Sequence, residues 1–365
     1  MSAPVPRPGI LSIAPYVPGE AHAAQASRQI RLASNEGALG PSPKAVAAYQ
    51  AAAGEIHRYP DGGSVALREA LGQTWNLDPA RIVCGTGSDE LISLLVRAYA
   101  GPGDEVLYSA HGFLMYPLAA QSVGATPVAA PESRLTADVD ALLARVSDRT
   151  RVVFLANPNN PTGTVLSTAE VVRLHAGLPE RVVLALDSAY AEYLTDSAYS
   201  AGAEMVEAHA NVVMLRTFSK MYAMGGLRLG WGYCPAGIAD ILNRIRGVFN
   251  INSAAQAAAL AALADADFIA ASRQHNETWR EWFTTTVRQL GLTVHPSVTN
   301  FVLVSFAGQS GDAGNAETAR LFLKERGILV RQMGVYGLPD CLRVTIGTGE
   351  EMQSVVAALK DFLAR

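Results

Sequence analysis

The chain has 365 residues, with 29 Lys and Arg against 33 Asp and Glu and a formal net charge of −4. Hydrophobic residues make up 49% and charged residues 17%, the balance of a globular protein with a large core. The weak negative charge gives no electrostatic ground for nucleic acid or an anionic membrane as a partner. The length suggests about two domains.

The first residues, MSAPVPRPGILSIAPYVPGE, contain no apolar core of signal-peptide length and are broken by prolines. An extended arm is expected over residues 1–32. No stretch approaches the apolar length that spans a bilayer. The Ala-rich segment 253–271 is interrupted by Gln256, Asp265 and Asp267 and reads as a packed helix. A soluble cytoplasmic protein is expected. Cys84, Cys234 and Cys341 are far apart and show no metal-type spacing. Cys84 and Cys341 fall in predicted strands and read as buried small hydrophobes in a reducing compartment.

Short apolar runs then alternate with helical patterns. Strands are predicted at 81–84, 105–108, 126–130, 151–156, 181–186, 211–216 and 228–234. Several are solidly apolar, such as Val152-Val153-Phe154-Leu155, which implies burial on both faces. Leu91, Leu95 and Tyr99 repeat at helical spacing. The alternation predicts an α/β domain with a large, doubly wound, mostly parallel seven-stranded sheet over residues 33–252. From 253 to 365 a smaller α+β domain is expected. It begins with the Ala-rich helix and continues with strand-like 301–304, 328–330 and 342–346, and a terminal helix from Glu350.

Thr217-Phe218-Ser219-Lys220 follows the run Val212-Val213-Met214-Leu215, and Arg228 comes eight residues after the lysine. A lysine just past the carboxyl end of a strand sits where α/β sheets bind ligands. Two hydroxyls and an arginine beside it suit an amine that bonds to an aldehyde next to a bound phosphate. Taken singly, Lys220 and Arg228 read equally well as surface charges. Gly85-Thr86-Gly87-Ser88-Asp89-Glu90 opens a helix after the first strand, which suits a phosphate or a plain tight turn. Glu90 at the third glycine position argues against a dinucleotide site.

Phe113 follows the second strand and suits either a ring platform or a core position. Asn157-Pro158-Asn159-Asn160-Pro161-Thr162-Gly163 is a turn, and an Asn amide such as that of Asn160 at a strand's carboxyl end also suits donation to a ligand oxygen. Asp187, with Tyr190 three residues on, is either a helix cap or a ligand partner. The ligand reading is favoured by shared location: Ser88, Phe113, Asn160, Asp187 and Lys220 all follow carboxyl ends of strands in one predicted sheet. In Cys341-Leu342-Arg343-Val344-Thr345-Ile346 the alternation puts Arg343 and Thr345 on one face. An arginine there suits bidentate carboxylate recognition or an exposed sheet face.

Together these motifs resemble the fold-type I pyridoxal 5'-phosphate-dependent aminotransferases of class I/II, and within them the histidinol-phosphate aminotransferases. The resemblance extends over nearly the whole chain. It includes the arm segment Ile13-Ala14-Pro15-Tyr16-Val17-Pro18-Gly19, then Asn35-Glu36 with Leu39-Gly40-Pro41-Ser42-Pro43, and His57-Arg58-Tyr59-Pro60-Asp61-Gly62. It also includes Asn160-Pro161-Thr162-Gly163, Asp187 with Tyr190, Ser219-Lys220 with Arg228, Arg331, and Leu342-Arg343-Val344-Thr345-Ile346-Gly347.

The resemblance implies a ping-pong transamination between an amino donor and a 2-oxo acid acceptor. Lys220 would form the Schiff base with the cofactor and shuttle the proton. Asp187 would pair with the pyridine nitrogen, Asn160 and Tyr190 would bond the ring oxygen, and Phe113 would stack on the ring. Ser88 and Asp89 through their backbone, with Thr217, Ser219 and Arg228, would hold the phosphate. Tyr59 would reach the phosphate of a partner subunit, so the active unit would be a homodimer. Arg343 would clamp the substrate carboxylate, while Tyr16, Asn35 and Arg331 would line the side-chain pocket, with Arg331 toward a substrate phosphate.

Two departures stand out. Gly37-Ala38 replaces an Asn-Pro pair next to the substrate cleft, and His111-Gly112 precedes the stacking aromatic. Competing readings are an aromatic amino acid aminotransferase, a threonine-phosphate decarboxylase-like enzyme, and a non-catalytic regulator module. The last would need a DNA-binding segment larger than the short arm.

Overall fold

Strand Val212–Thr217 is buried at all six of its residues. Such a run must be covered on both faces. Val213 and Leu215 belong to one core cluster, and Val212 and Met214 to another on the opposite face. The computed structural model describes residues 4–7, 9–15, 29–308 and 315–365. Its strands are β1 (Ile30–Leu32), β2 (Ile82–Gly85), β3 (Glu105–Ser109), β4 (Thr126–Ala130), β5 (Glu132–Ser133), β6 (Thr136–Ala137) and β7 (Thr150–Ala156). They continue with β8 (Val183–Asp187), β9 (Val212–Thr217), β10 (Gly230–Tyr233), β11 (Thr293–Val294), β12 (Phe301–Ser305), β13 (Ile328–Gln332) and β14 (Cys341–Thr345).

Seven strands form the large sheet in the order β2-β10-β9-β8-β7-β3-β4. The pairings among β4, β3, β7, β8 and β9 are parallel, and β10 alone runs antiparallel to both its neighbours. Parallel order sets the carboxyl ends of β3, β7, β8 and β9 on one edge, and antiparallel β10 does the same for β2.

A five-stranded sheet, ordered β1-β13-β14-β12-β11, makes the smaller unit. Its core includes Phe283, Val302, Phe322, Val344 and Phe362. Two expectations need correction. Residues 30–32 are not part of an extended arm: they form β1, parallel to β13. Ile30 and Leu32 bury into the small core, while Arg31 points out, which is the alternation of an edge strand.

The Ala-rich segment is not one helix. It splits into Ser253–Leu263 and Ala266–Gln289, bent by 80° at the break. Asp265 sits at the break, where its carboxylate accepts from the Ser42 hydroxyl and pairs with Lys44 at 2.7 Å. Ala255, Ala258, Ala259 and Ala262 pack into the large core, so this helix joins the large sheet rather than opening the small unit. Among the described residues no single helix is long and apolar enough to cross a membrane.

β10 presses closely on the start of helix Ser88–Tyr99. A Cβ on Gly230 would lie 2.3 Å from the Ser88 amide nitrogen and 2.6 Å from the Gly87 carbonyl carbon. Both are backbone atoms and cannot swing aside. Gly230→Ala should destabilise the protein by about 1–3 kcal/mol, read as a lowered Tm in thermal denaturation. An unchanged Tm would mean that the Gly87–Ser88 backbone yields freely.

Candidate active site

Five strand ends meet at one cavity of about 520 Å³. Ten of the residues read from the sequence line it: Ser88, Asp89, Phe113, Asn160, Asp187, Tyr190, Thr217, Ser219, Lys220 and Arg228. β8 delivers Asp187 as its last residue, and β9 delivers Thr217 three residues before Lys220.

Asp187 is 5% exposed. Its Oδ2 accepts from the Tyr116 hydroxyl at 2.8 Å. Its Oδ1 is buried without a hydrogen-bond partner. Burial pushes the Asp187 pKa up to about 6, against the pull of the Tyr116 hydroxyl and the Ala189 N–H. A buried carboxylate oxygen facing a cavity is a place for an N–H donor.

Lys220 stands at the cavity floor with Nζ 3.4 Å from the Ser34 carbonyl oxygen and 5.8 Å from the Tyr190 ring centre. The cleft still lets solvent touch the side chain, but dense surroundings weaken hydration of the ammonium. That burial, helped by Arg343 and Arg228, lowers the Lys220 pKa to about 8. An amine of this kind carries a larger unprotonated fraction near neutrality than an ordinary lysine and can attack an aldehyde.

Helix Ser88–Tyr99 begins at Gly87, whose φ of 85° suits glycine, and no side chain caps its first turn. Its free N–H groups and dipole favour an anion. Arg228 reaches over this helix start, donating to Asp89 Oδ1 at 2.7 Å and to the Gly225 carbonyl at 3.0 Å. A Cβ on Gly87 would collide with both Arg228 Nη2 and Asp89 Oδ1, so the glycine keeps the cradle open. The Ser219 amide donates to Thr217 Oγ1 at 3.1 Å, which curls the lysine loop toward the same place.

The ring-side residues are held from behind. Tyr190 Oη accepts from Asn35 Nδ2 at 2.8 Å, which leaves its own proton to donate. Burial drives the Tyr190 pKa upward, so the hydroxyl stays protonated. Asn160 Oδ1 accepts from Arg343 Nη1, leaving the Asn160 amide N–H groups for a ligand oxygen. Phe113 meets Tyr116 edge to face at 6.0 Å. The amine, the partnerless carboxylate oxygen, the uncapped helix start and the aromatic platform fit the functional groups of pyridoxal 5'-phosphate.

The remaining predicted residues lie elsewhere. Asn35 is 1% exposed, and its groups are engaged by Tyr190, Thr345 and Asn300, so it braces Tyr190 rather than lining a side-chain pocket. Arg343 is buried in β14, bonded to Asn160 and to the Ala33 carbonyl at 2.8 Å, not on an exposed face. Arg331 does not line the cavity; it stands directly opposite Arg343 in the β13–β14 register. Tyr59 is 82% exposed and stacks on Phe249 at 4.7 Å, away from this cavity. Tyr16 lies outside the described residues.

Sequence reasoning missed Tyr116. It lies in the same segment as Phe113, but its contact with Asp187 crosses 71 residues of chain. Its ring stacks on Phe154 at 4.6 Å and 2°, which fixes the hydroxyl on the carboxylate. A larger cleft of about 880 Å³ opens between the β5–β6 hairpin and residues 295–298, but no predicted site residue lines it.

The chain matches the family model of aminotransferase class I and II over residues 27–359. It is 62% identical over 363 residues to a histidinol-phosphate aminotransferase of Rhodospirillum centenum, covering 100% of this chain and 99% of the relative. A histidinol-phosphate aminotransferase of Paramagnetospirillum magneticum is 59% identical, with the same coverage. Among solved structures, histidinol-phosphate aminotransferase from Sinorhizobium meliloti in complex with pyridoxal 5'-phosphate superposes with a TM-score of 0.89. It is 32% identical, covering 98% of this chain and 97% of that one.

Two outcomes follow from this geometry. Trapping of pyridoxal 5'-phosphate by the cofactor-free protein with borohydride should rise with pH through a midpoint near 8, as Lys220 deprotonates. A midpoint near that of free lysine would show an ordinarily hydrated amine. Tyr116→Phe removes the donor to Asp187 Oδ2 and should weaken cofactor binding by about tenfold, measured by equilibrium dialysis. Unchanged affinity would make the hydroxyl a bystander.

Proposed function

The chain belongs to the class I and II aminotransferases, and on that footing we propose that it transfers an amino group between L-histidinol phosphate and 2-oxoglutarate. The observation that carries the reaction is the shared cavity of Lys220 and Asp187, with a partnerless carboxylate oxygen on one and a depressed pKa on the other.

Pyridoxal 5'-phosphate, when bound, supplies an electron sink for charge that develops at the substrate α-carbon. The protein's residues do the rest. Asp187 Oδ1, buried without a partner, would accept the pyridine N–H and keep that proton in place. Ser88, Thr217, Ser219 and Arg228 would hold the phosphate, Phe113 would support the ring face, and the Asn160 amide and Tyr190 hydroxyl would donate to the ring oxygen. Lys220 Nζ would act as the general base for the substrate α-carbon proton.

Substrate recognition falls to the small sheet. Histidinol phosphate carries a phosphate ester where an amino acid carries its α-carboxylate, so both substrates present an anion beside the reacting carbon. Arg343, with Arg331 opposite it, offers paired positive charge for that anion. A homodimer would cover the exposed patch of Ile56, Tyr59, Val248 and Phe249 and bring Tyr59 to the partner's phosphate. Three buried free cysteines suit a reducing compartment, and we place the enzyme in the cytoplasm.

Purified enzyme should show a visible absorbance band that borohydride abolishes, and Lys220→Ala should lack it; a band retained in that variant would refute the lysine's role. With 2-oxoglutarate as acceptor, histidinol phosphate should turn over faster than phenylalanine. The reverse preference would identify an aromatic amino acid aminotransferase. Arg331→Ala should lower kcat/KM for histidinol phosphate by about tenfold or more.

A further inference from the structure

Behind the cavity lies an ion pair that no step above uses. Arg216 and Glu192 are almost fully buried, with side chains 4% and 2% exposed, and Arg216 Nη2 stands 2.8 Å from Glu192 Oε1. Arg216 precedes Thr217 in β9 and lies four residues before Lys220. Glu192 lies in the short turn Ala191–Tyr193, two residues after Tyr190 and five after Asp187. The pair thus joins the segment that carries the lysine to the segment that carries its carboxylate.

Both ends are clamped. The Arg216 guanidinium lies 4.5 Å from the Trp75 ring centre and 5.5 Å from that of Trp231, its register partner on β10. Arg273 Nε donates to the Glu192 carbonyl oxygen at 2.7 Å. Arg273 belongs to helix Ala266–Gln289, whose Phe283 and Val287 pack in the small core.

Stability alone does not account for this pair. Arg216 Nε and Glu192 Oε2 are buried without hydrogen-bond partners, so the pair recovers only part of its desolvation cost. Well-packed apolar residues of similar volume commonly hold a fold as well as a buried pair does. What apolar packing lacks is one short, directed contact that fixes the distance between two segments.

We propose that Glu192 and Arg216 are positioning residues that set the spacing of Asp187 and Tyr190 relative to Lys220, and through it the affinity and acid–base midpoint of the cofactor's link to Lys220. This rests on the reading of Lys220 and Asp187 as the cofactor site.

The test compares holoenzymes of wild type, Glu192→Gln, Arg216→Lys and the double variant Glu192→Gln/Arg216→Met. The readouts are Tm, the pH midpoint of the visible band and the cofactor dissociation constant by dialysis. Glu192→Gln strands a buried charge and should lower Tm, whereas the double variant removes both charges and should recover most of it. The pH midpoint should nevertheless move by about half a unit or more in the double variant, with cofactor affinity about tenfold weaker. Arg216→Lys keeps both charges and should shift the midpoint in the same direction by less. In these variants kcat should fall more than KM rises. A wild-type midpoint and affinity in Arg216→Lys and in a double variant of recovered Tm would overturn the proposal and leave the pair merely structural. A wild-type protein with no band at all would refute the cofactor site itself, a different failure.

Discussion

Asp187 is a carboxylate carried by an apolar strand to a place with little water, and much of the site is arranged around it. An ionised group there is costly unless it is partnered. Tyr116 supplies one donor, and Phe154 on β7 holds the Tyr116 ring in place. The second oxygen is left to a ligand. Strands β7 and β8, with the helix Met115–Val123 that follows β3, thereby converge on one charge, whose second oxygen suits a ligand N–H.

The same economy governs Lys220. Arg343 and Arg228 lie close enough to help lower its pKa. Those cations also suit the two anions that the site would handle, a cofactor phosphate near Arg228 and a substrate anion near Arg343. Positive charge placed for anion binding therefore adds to burial in favouring the neutral amine, and one arrangement does both jobs. Glu36 and Asp187 pull the other way, and Asp89 holds Arg228 at 2.7 Å over the helix start.

The two sheets divide the labour. The large sheet brings the ring- and phosphate-facing groups to its carboxyl edge. The small sheet brings Arg343, whose guanidinium bonds Asn160 of the large unit and the Ala33 carbonyl. Asn35, just after β1, ties the units together: its amide group reaches Tyr190 while its backbone meets Thr345 and Asn300. Movement between the sheets would be felt at Tyr190 and Asn160, the two residues proposed to face the ring oxygen.

Solid apolar runs made the inner strands β7, β8 and β9 of the large sheet legible, because a strand buried on both faces has no polar side to hide it. Ser88, Asn160, Asp187 and Lys220 were legible for a related reason: polar residues directly after such runs fall on the one edge where a parallel sheet opens. β1 was not legible, since three residues pair with a strand nearly three hundred positions away and carry little pattern of their own. The break at Asp265 depends on Ser42 and Lys44, which are also remote. Local chemistry in the chain thus determined most strands of the large sheet, the reaction type and the groups proposed to carry it. Tertiary structure alone decided that Tyr116 partners Asp187, that Asn35 braces Tyr190, and that Arg216 meets Glu192. Those choices are through-space contacts between segments whose spacing in sequence carries no information about their distance.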